Sequence, residues 1–182
     1  MNEFICRKSQ AEVYSIRPKQ GFGWGIFMID EGTGSLSVIS DYENYNYRWG
    51  SGCFSGSFKK FLTEIDTGYL LDKVAHDCIE LKFDESVVKW KKEIIEARRE
   101  NGWEKEKIRE LWDDFESIIS EYQNEQCIQL KIFESELSNI IDVCEGFGVR
   151  GYDSSARQFA DELWPMFIDV LKKEINEGNP GT

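Results

Sequence analysis

A single histidine, His76, and five cysteines are the side chains that could act as a nucleophile, a general base or a soft metal ligand. His76 and Cys78 are two residues apart, a spacing that does not normally place both side chains in a geometry suited to catalysis. No third residue that could orient them is evident. A single histidine excludes most types of zinc site, and the cysteines never occur as a C-x-x-C pair. We therefore predict that the protein is not an enzyme and uses no catalytic residue, metal or cofactor. His76 itself is interpreted as a helix-end residue near the terminal carbonyl groups.

Two glycine-rich segments could form phosphate-binding loops. Residues 21–25, GFGWG, lack the G-x-G-x-x-G order and run into a predicted strand. Residues 50–57, GSGCFSGS, lack the Gly-Lys-Ser/Thr ending of a Walker loop, but they lead to a helix start near Lys59 and Lys60, which is a generic anion-binding geometry. Since glycines form turns far more often than they hold phosphate, the favoured interpretation is a connecting loop. A small anionic-ligand-binding domain stays as an alternative.

The net charge is −12, and it is unevenly distributed along the chain. Residues 1–100 hold 14 Lys+Arg against 16 Asp+Glu, whereas residues 101–182 hold 8 against 18. A protein this acidic repels phosphate backbones, whose binding requires Lys and Arg, so we predict no direct nucleic-acid binding. Acidity most commonly serves solubility, but it also steers association with a partner that has a basic surface.

The chain has the length of one domain, and we predict a single domain over residues 1–182. No apolar stretch approaches the roughly 20 residues that span a bilayer, and the first eight residues lack the order of a signal peptide. The five cysteines are odd in number and widely spaced, which predicts free, mostly buried thiols in a reducing compartment. These features predict a cytoplasmic protein that does not associate with a membrane.

The first 50 residues are predicted to be mainly β and to form an antiparallel meander, because short turns separate alternating runs. Phe22, Trp24, Ile26 and Met28 fall on one face of the first clear strand, and Leu36 and Val38 on one face of the next. Residues 13–16 are a candidate edge strand. In residues 45–49, YNYRW, strict alternation favours burial of Tyr45, Tyr47 and Trp49. The other face would then offer Asn46, Arg48 and the nearby Asp41 to a partner.

Residues 57–177 are predicted to be mainly α-helical. Short helices are expected from Ser57 and over residues 69–75, and residues 79–83 alternate like one more strand. A helix capped by Asp84 or Ser86 is predicted to end at Asn101-Gly102. Apolar residues then recur with helical spacing through one long amphipathic helix, from about Glu104 to Tyr122, which makes an antiparallel hairpin with the helix before it. They are Ile108, Leu111, Trp112, Phe115, Ile118, Ile119 and Tyr122.

The polar side of this long helix supplies the main candidates for partner binding, Asp113, Asp114, Glu116 and Glu121. Residues 126–145 remain ambiguous, because Ile128, Leu130 and Ile132 alternate while the apolar residues that follow suit a helix. Residues 146–151 are a predicted loop. A last helix, capped by Asp153 or Ser154, should be kinked at Pro165 and should end in a frayed tail over residues 178–182.

Several of these segments resemble a family of small phage and prophage proteins. The resemblance rests on SDYENYNYRWG at 40–50, FKKFL at 58–62, YLLDK at 69–73, IIEARR at 94–99 and LWP at 163–165. Glu43 stands where the family has Gly, a position that would strain the turn if its φ is positive. The resemblance implies a phage origin, and phage accessory proteins of this size often bind and disable host machinery, CRISPR effectors among them.

The resulting prediction is an α+β protein of phage origin that inhibits or modulates a host protein through an acidic surface. The partner is expected to be a host or phage protein with a basic surface, such as a nucleic-acid-binding defence effector. A phage structural or DNA-metabolism accessory factor is the alternative from another class.

Overall fold

The N-terminal segment forms a four-stranded antiparallel sheet with the strand order β1-β2-β3-β4, in a computed structural model. The strands are β1 (Glu12–Ile16), β2 (Gly25–Asp30), β3 (Ser35–Ser40) and β4 (Glu43–Arg48). Each strand pairs with the next along the chain, so that Phe27 lies opposite Val38 and Val38 opposite Tyr45. The predicted meander, with its edge strand at residues 13–16, is confirmed, as is the α+β class.

The structure describes residues 3, 5–6, 8–122, 124–144 and 146–178. The chain divides into two compact units, one formed by Met1–Ile79 with Tyr152–Thr182 and one by Glu80–Gly151. The prediction that both belong to one domain stays a prediction. The last helix reaches Gly178, and the remainder of the predicted frayed tail lies outside the described residues.

One face of the sheet is buried beneath the helices of the first unit. Tyr45 and Trp49 are almost fully buried and Tyr47 partly so, which agrees with the predicted inner face of β4. In β2 the buried side chains are Phe27 and Ile29, and Ile26 and Met28 lie together on the opposite, partly buried face. The strand begins only at Gly25, and Phe22 before it is 96% exposed.

Gly25 lies close to the C-terminal helices at the start of this buried face. A Cβ added to Gly25 would lie 2.6 Å from Cδ2 of Leu163, so a larger residue would require the Leu163 side chain to move. The aromatic side chains that follow fill the interface: the rings of Phe27 and Phe167 stack with centroids 4.0 Å apart, and those of Tyr45 and Phe159 lie 4.3 Å apart.

Side-chain caps mark the start of three helices of the first unit; Ser57 and Asp153 were predicted from the sequence, and Asp66 was not. Ser57 caps α1 (Phe58–Glu64), Asp66 caps α2 (Thr67–Val74) and Asp153 caps α6 (Ser154–Gln158). A π-helical turn at Phe159–Leu163 then leads into α7 (Trp164–Gly178). Pro165 lacks an N–H and crowds the carbonyl four residues earlier, in that turn, so the irregularity falls where the sequence predicts a disturbed helix.

The second unit contains a helical hairpin. It consists of α3 (Phe83–Asn101) and α4 (Lys105–Glu121), separated by Gly102 with a φ of 63°. The rings of Trp90 and Phe115 meet with centroids 6.3 Å apart, and Leu111, Phe115 and Ile118 are buried. The predicted hairpin and its apolar stripe are thus confirmed.

The predicted cap of α3 is wrong, because neither Asp84 nor Ser86 precedes the helix. The buried Ser86 hydroxyl donates to the carbonyl of Lys82 at 2.7 Å and accepts from the backbone N–H of Val149 at 2.8 Å. It therefore holds the returning chain against the first turn of α3. No space remains beside it, since a Cβ on Gly148 would lie 2.6 Å from the Ser86 oxygen.

The ambiguous segment that begins at residue 126 contains most of α5 (Glu125–Glu134) and a 3-10 turn (Glu136–Asn139). The segment forms a helix and not a strand. The Asn124 side chain caps its first turn by accepting hydrogen bonds from the backbone N–H groups of Gln126 and Cys127. The predicted loop at 146–151 is partly wrong, since Arg150–Tyr152 forms the short strand β6, which pairs with β5 (Ile79–Leu81).

Candidate interaction surface

The polar side of α4 presents the acidic residues that the sequence singles out. Burial of Leu111, Phe115 and Ile118 fixes the rotation of the helix, and Asp113, Asp114 and Glu121 therefore point to solvent and are exposed. None of these three carboxylates forms an ion pair with any residue that the structure describes. Their negative charges are thus available to a partner.

Glu116 differs from the other three acids. It is only partly exposed, and its carboxylate lies 2.7 Å from the ammonium group of Lys91 on α3. The same ammonium group lies 5.5 Å from the centre of the Trp112 ring. Glu116 therefore joins the two helices of the hairpin, and its charge is largely neutralised within the unit.

Two further acids, Glu106 and Glu110, extend the exposed row and were missed by the sequence prediction. They are exposed and precede Asp114 by eight and four residues, the spacing that puts side chains one above another on a helix. We name the set formed by Glu106, Glu110, Asp113, Asp114 and Glu121 the acidic ridge. The four-residue spacing of Glu106, Glu110 and Asp114 could have identified the two additional acids from the sequence.

Helix stability explains only one end of the acidic ridge. Glu106 lies in the first turn of α4, where negative charge is favourable, whereas Glu121 is the last residue and the last turn contains no basic residue to offset it. Exposed charges contribute little to folding in either case. The ridge is therefore a solvated surface whose charge serves solubility or steers a partner.

The second predicted set, Asp41, Asn46 and Arg48, lies on the first unit. Asn46 and Arg48 are exposed on the outer face of β4; the Asn46 amide oxygen accepts from Ser37 Oγ at 2.5 Å, and Arg48 Nε donates to the carbonyl of Thr33 at 3.3 Å. Both are thus held by the sheet itself. The acidic ridge belongs to the second unit.

Asp41 occupies the turn between β3 and β4, next to Tyr42. The Tyr42 hydroxyl donates to Oε2 of Glu162 at 2.6 Å, and this bond, with burial and the charges of Glu162 and Asp41, raises the pKa of Tyr42 to about 12. Asp41 itself is exposed. The turn thus carries a second, smaller concentration of negative charge.

The anion-binding geometry considered for residues 50–57 is occupied from within the chain. The Glu31 carboxylate accepts hydrogen bonds from the backbone N–H groups of Phe58 at 2.9 Å and Lys59 at 3.2 Å. The Lys59 ammonium lies 2.6 Å from Glu12 and 2.8 Å from Glu174. The groups that would bind an anion are therefore already paired with carboxylates, which argues against the small-anion alternative.

The remaining chemical candidates are scattered. His76 is exposed and opens the 3-10 turn at His76–Cys78, two residues beyond α2, as expected of a helix-end residue. Within the described ranges, no three His, Cys, Asp or Glu side chains are grouped so that they could hold a metal ion. The cysteines are free, but Cys78 alone is partly buried and the other four are exposed, so the predicted burial is wrong. Cys6, Cys53 and Cys144 lie outside helices and strands, and Cys127 lies on the outer face of α5, so none of the four falls on a core-facing position.

The fold and this surface define an α+β protein whose candidate site is an acidic helix face. The model of a phage family, Phage_phiTE_072, matches residues 5–173. The chain belongs to this phage family. No curated protein matches the chain, and no solved structure does. None of the helices in the part of the chain that the structure describes is long and apolar enough to cross a membrane.

Proposed function

We propose that this phage protein is a non-catalytic accessory protein that binds a basic surface of a host protein and thereby inhibits or modulates it. The observation that carries the proposal is the acidic ridge of α4, in which Asp113, Asp114 and Glu121 are exposed and unpaired with any described residue. Exposed carboxylates on a rigid helix attract lysine and arginine at long range and fix the orientation of the encounter.

A nucleic-acid-binding defence effector is the class of partner that best suits this ridge. Such proteins bind a phosphate backbone through rows of Lys and Arg, and the release of counterions drives that binding. A helix that presents carboxylates at intervals of three and four residues offers the same cations an alternative polyanion. A bound acidic helix would therefore compete with the nucleic acid for the basic groove.

Affinity capture from host lysate tests the proposal with three forms of the protein. The first is the wild type, and the second is the variant Asp113→Lys/Asp114→Lys/Glu121→Lys. The third is a control in which three exposed acids of the first unit are reversed, Asp77, Asp161 and Glu177. Both variants change the net charge by the same amount, so only the position of the charges differs.

The expected result is one or more basic nucleic-acid-binding proteins captured by the wild type and the control and lost with the α4 variant. Competition by added DNA should release them. Equal capture by all three forms would show that the acidic ridge is not the contact surface. Enrichment of replication or virion proteins would favour the structural or DNA-metabolism alternative.

A further inference from the structure

The outward side of α3 carries apolar residues that the second unit does not bury. Val88 and Ile95 are 68% and 42% exposed, and they lie about two helical turns apart on one face of the helix. On the other side of α3, Trp90 and Ile94 are fully buried. Single exposed apolar residues are common on protein surfaces. Two of them on the same face of one helix are the spacing with which a second helix is packed.

The two ends of this face carry opposite charges. Asp84 and Glu85 lie in the first turn of α3, and Arg98 and Arg99 lie in the last. All four side chains are exposed, and none of them is ion-paired with a residue in the described part of the chain. We name the whole row the α3 stripe; it consists of Asp84, Glu85, Val88, Lys92, Ile95, Arg98 and Arg99.

Helix stability explains part of the α3 stripe. Acids near the start of a helix and arginines near its end complement the partial charges of the backbone at those ends. This effect does not require apolar side chains at the exposed positions 88 and 95, where polar residues would form the helix equally well. The combination of apolar centre and charged ends is therefore the feature that another molecule can recognise.

An antiparallel pair of α3 helices matches the stripe with itself. Such a pair places Asp84 of one copy opposite Arg99 of the other, and Glu85 opposite Arg98, with each contact made twice about a twofold axis. The exposed apolar residues of the two copies then meet between these charges. Opposite charges across an interface orient association, whereas a parallel pair would bring like charges together.

The middle of the stripe carries lysines, which the twofold axis would bring close to those of the second copy. Their charges are already offset within each copy, since Lys91 lies 2.7 Å from Glu116 and Lys92 lies 3.7 Å from Glu96. The lysines therefore do not prevent the two helices from pairing.

We propose that the α3 stripe is a self-association surface, through which two copies of this protein pair in a twofold-symmetric, antiparallel dimer. The occupant is a second copy because the charges and apolar residues of the stripe complement those of the same stripe read in the opposite direction. The surface is separate from the acidic ridge of α4, so the inference goes beyond the proposed function and does not depend on it.

The size of the contact predicts a weak dimer. From Asp84 to Arg99 the stripe is about 22 Å long, and one pair of helices of this length lies at the small end of specific interfaces. The dissociation constant should therefore be micromolar or higher, and the dimer should form as the protein concentration rises.

Sedimentation velocity of the purified protein between about 1 and 500 µM measures this equilibrium. The variant Val88→Ala/Ile95→Ala should weaken the dimer about tenfold or more. Its matched control is Leu130→Ala/Phe133→Ala on α5, which removes residues that are 53% and 62% exposed and should change the dissociation constant less than about twofold. Circular dichroism confirms that each variant is folded.

A charge exchange tests the antiparallel arrangement. The variant Arg98→Glu/Arg99→Glu has acids at both ends of the stripe, and Asp84→Arg/Glu85→Arg has arginines at both ends. Each variant alone should remain monomeric, because like charges face each other in its dimer. An equimolar mixture of the two should form heterodimers, because acids then face arginines at both ends. Recovery on mixing also shows that the loss of each homodimer is not a loss of folding.

The inference is wrong if the wild type stays monomeric over the whole concentration range, or if the α3 and α5 alanine variants dissociate equally. It is also wrong if the two charge variants are folded but do not associate when mixed. The variant Asp113→Lys/Asp114→Lys/Glu121→Lys should dimerise like the wild type. Loss of its dimer would place the contact on the acidic ridge and would likewise overturn the inference.

Discussion

The Glu31 carboxylate accepts a hydrogen bond of 2.9 Å from the backbone N–H of Phe58, the first residue of α1. Its other oxygen accepts from the next N–H along the helix. The first N–H groups of a helix have no partner within the helix, and an acidic group there also complements the partial positive charge of that end. The β2–β3 turn is thereby tied to the start of α1.

Replacement of Glu31 by alanine should lower the free energy of unfolding by about 1–2 kcal/mol, because the backbone N–H groups of Phe58 and Lys59 lose their acceptor while the Ser57 cap remains. Glu31→Gln should cost less, since the amide oxygen still accepts one bond. The measurement is the denaturation midpoint in urea. Glu64→Ala is the control: Glu64 pairs with Lys60 at 3.7 Å on the exposed side of α1, and its loss should leave the midpoint almost unchanged.

Glu43 has a φ of 141° at the start of β4, and it is the one non-glycine residue of the described ranges with a positive φ. Residues other than glycine rarely adopt a positive φ, and this backbone conformation costs about 1–3 kcal/mol. Glu43→Gly should therefore stabilise the protein by about 1 kcal/mol, after the larger entropy loss of glycine is deducted.

The neighbouring substitution Asn44→Gly provides the comparison for Glu43→Gly. Asn44 is exposed in the same strand and has an ordinary φ, so glycine there should only destabilise. Thermal unfolding of both variants measures the difference. If Glu43→Gly melts below the wild type, the strain at this turn is offset by a contact of the Glu43 side chain.

Alternation and capping residues predict the elements of this chain well, but they do not decide which face of a strand is buried. In β4, Tyr45 and Trp49 alternate with polar residues, and their burial follows directly. In β2 every position is apolar or glycine except the last, so both faces qualify. The choice depends on packing against the C-terminal helices, such as the stacking of Phe27 on Phe167, 140 residues away, which local sequence does not contain.

The candidate surfaces are predictable from sequence to different degrees, because some of them depend on contacts between residues far apart in the chain. The rotation of α4 follows from its apolar stripe, so the exposure of Asp113, Asp114 and Glu121 follows too. The ion pair between Glu116 and Lys91 could not be predicted, because it depends on how α3 and α4 are aligned along each other. The bond from Gln129 to the carbonyl of Val143 joins two segments across a 3-10 turn, and the alternation of Ile128, Leu130 and Ile132 left even the helix uncertain.

Phe115 is fully buried between the two helices of the hairpin, against Trp90. Phe115→Ala should lower the free energy of unfolding by about 3–5 kcal/mol, because it removes buried apolar surface and leaves a cavity. Ile95→Ala, at an exposed position of α3, should cost far less. Guanidinium denaturation followed by circular dichroism compares the two. Equal midpoints would mean that Phe115 contributes an interface and not core packing.

The stability of the first unit should depend on pH through the cluster of Glu12, Glu174, Tyr14 and Lys59. Hydrogen bonds from Lys59 and from the Tyr14 hydroxyl lower the pKa values of Glu12 and Glu174. Burial alone would lower the pKa of Lys59, but its hydrogen bonds to Glu12, Glu174 and Tyr14 outweigh burial and raise it. The cluster links β1, α1 and α7.

Since the folded-state pKa values of these two carboxyls are depressed, their contribution is complete above the unfolded value of about 4.3 and is lost as pH falls through the lower folded values. Both are about half exposed, so the effect should be small. Lys59→Met should flatten this part of a stability–pH curve measured by urea titration between about pH 2 and 6. Lys60→Met, an exposed neighbour, should leave the slope unchanged.

Association with a nucleic-acid-binding partner should slow markedly as salt rises, while dissociation changes less. The acidic ridge attracts a basic surface before contact, and this attraction is screened beyond roughly 8–10 Å at physiological ionic strength. Short-range contacts in the formed complex are screened much less. Stopped-flow or surface-plasmon measurements across a series of NaCl concentrations give both rate constants.

Reversal of Asp113, Asp114 and Glu121 to Lys should weaken binding and flatten the salt dependence of the association rate without unfolding the protein, since exposed charges contribute little to folding. The control that reverses Asp77, Asp161 and Glu177 separates the local ridge from net charge. An unchanged affinity with an unchanged salt dependence would eliminate the acidic ridge as the steering surface. The contact would then have to be sought on the first unit, at Asn46, Arg48 and the loop of residues 50–57.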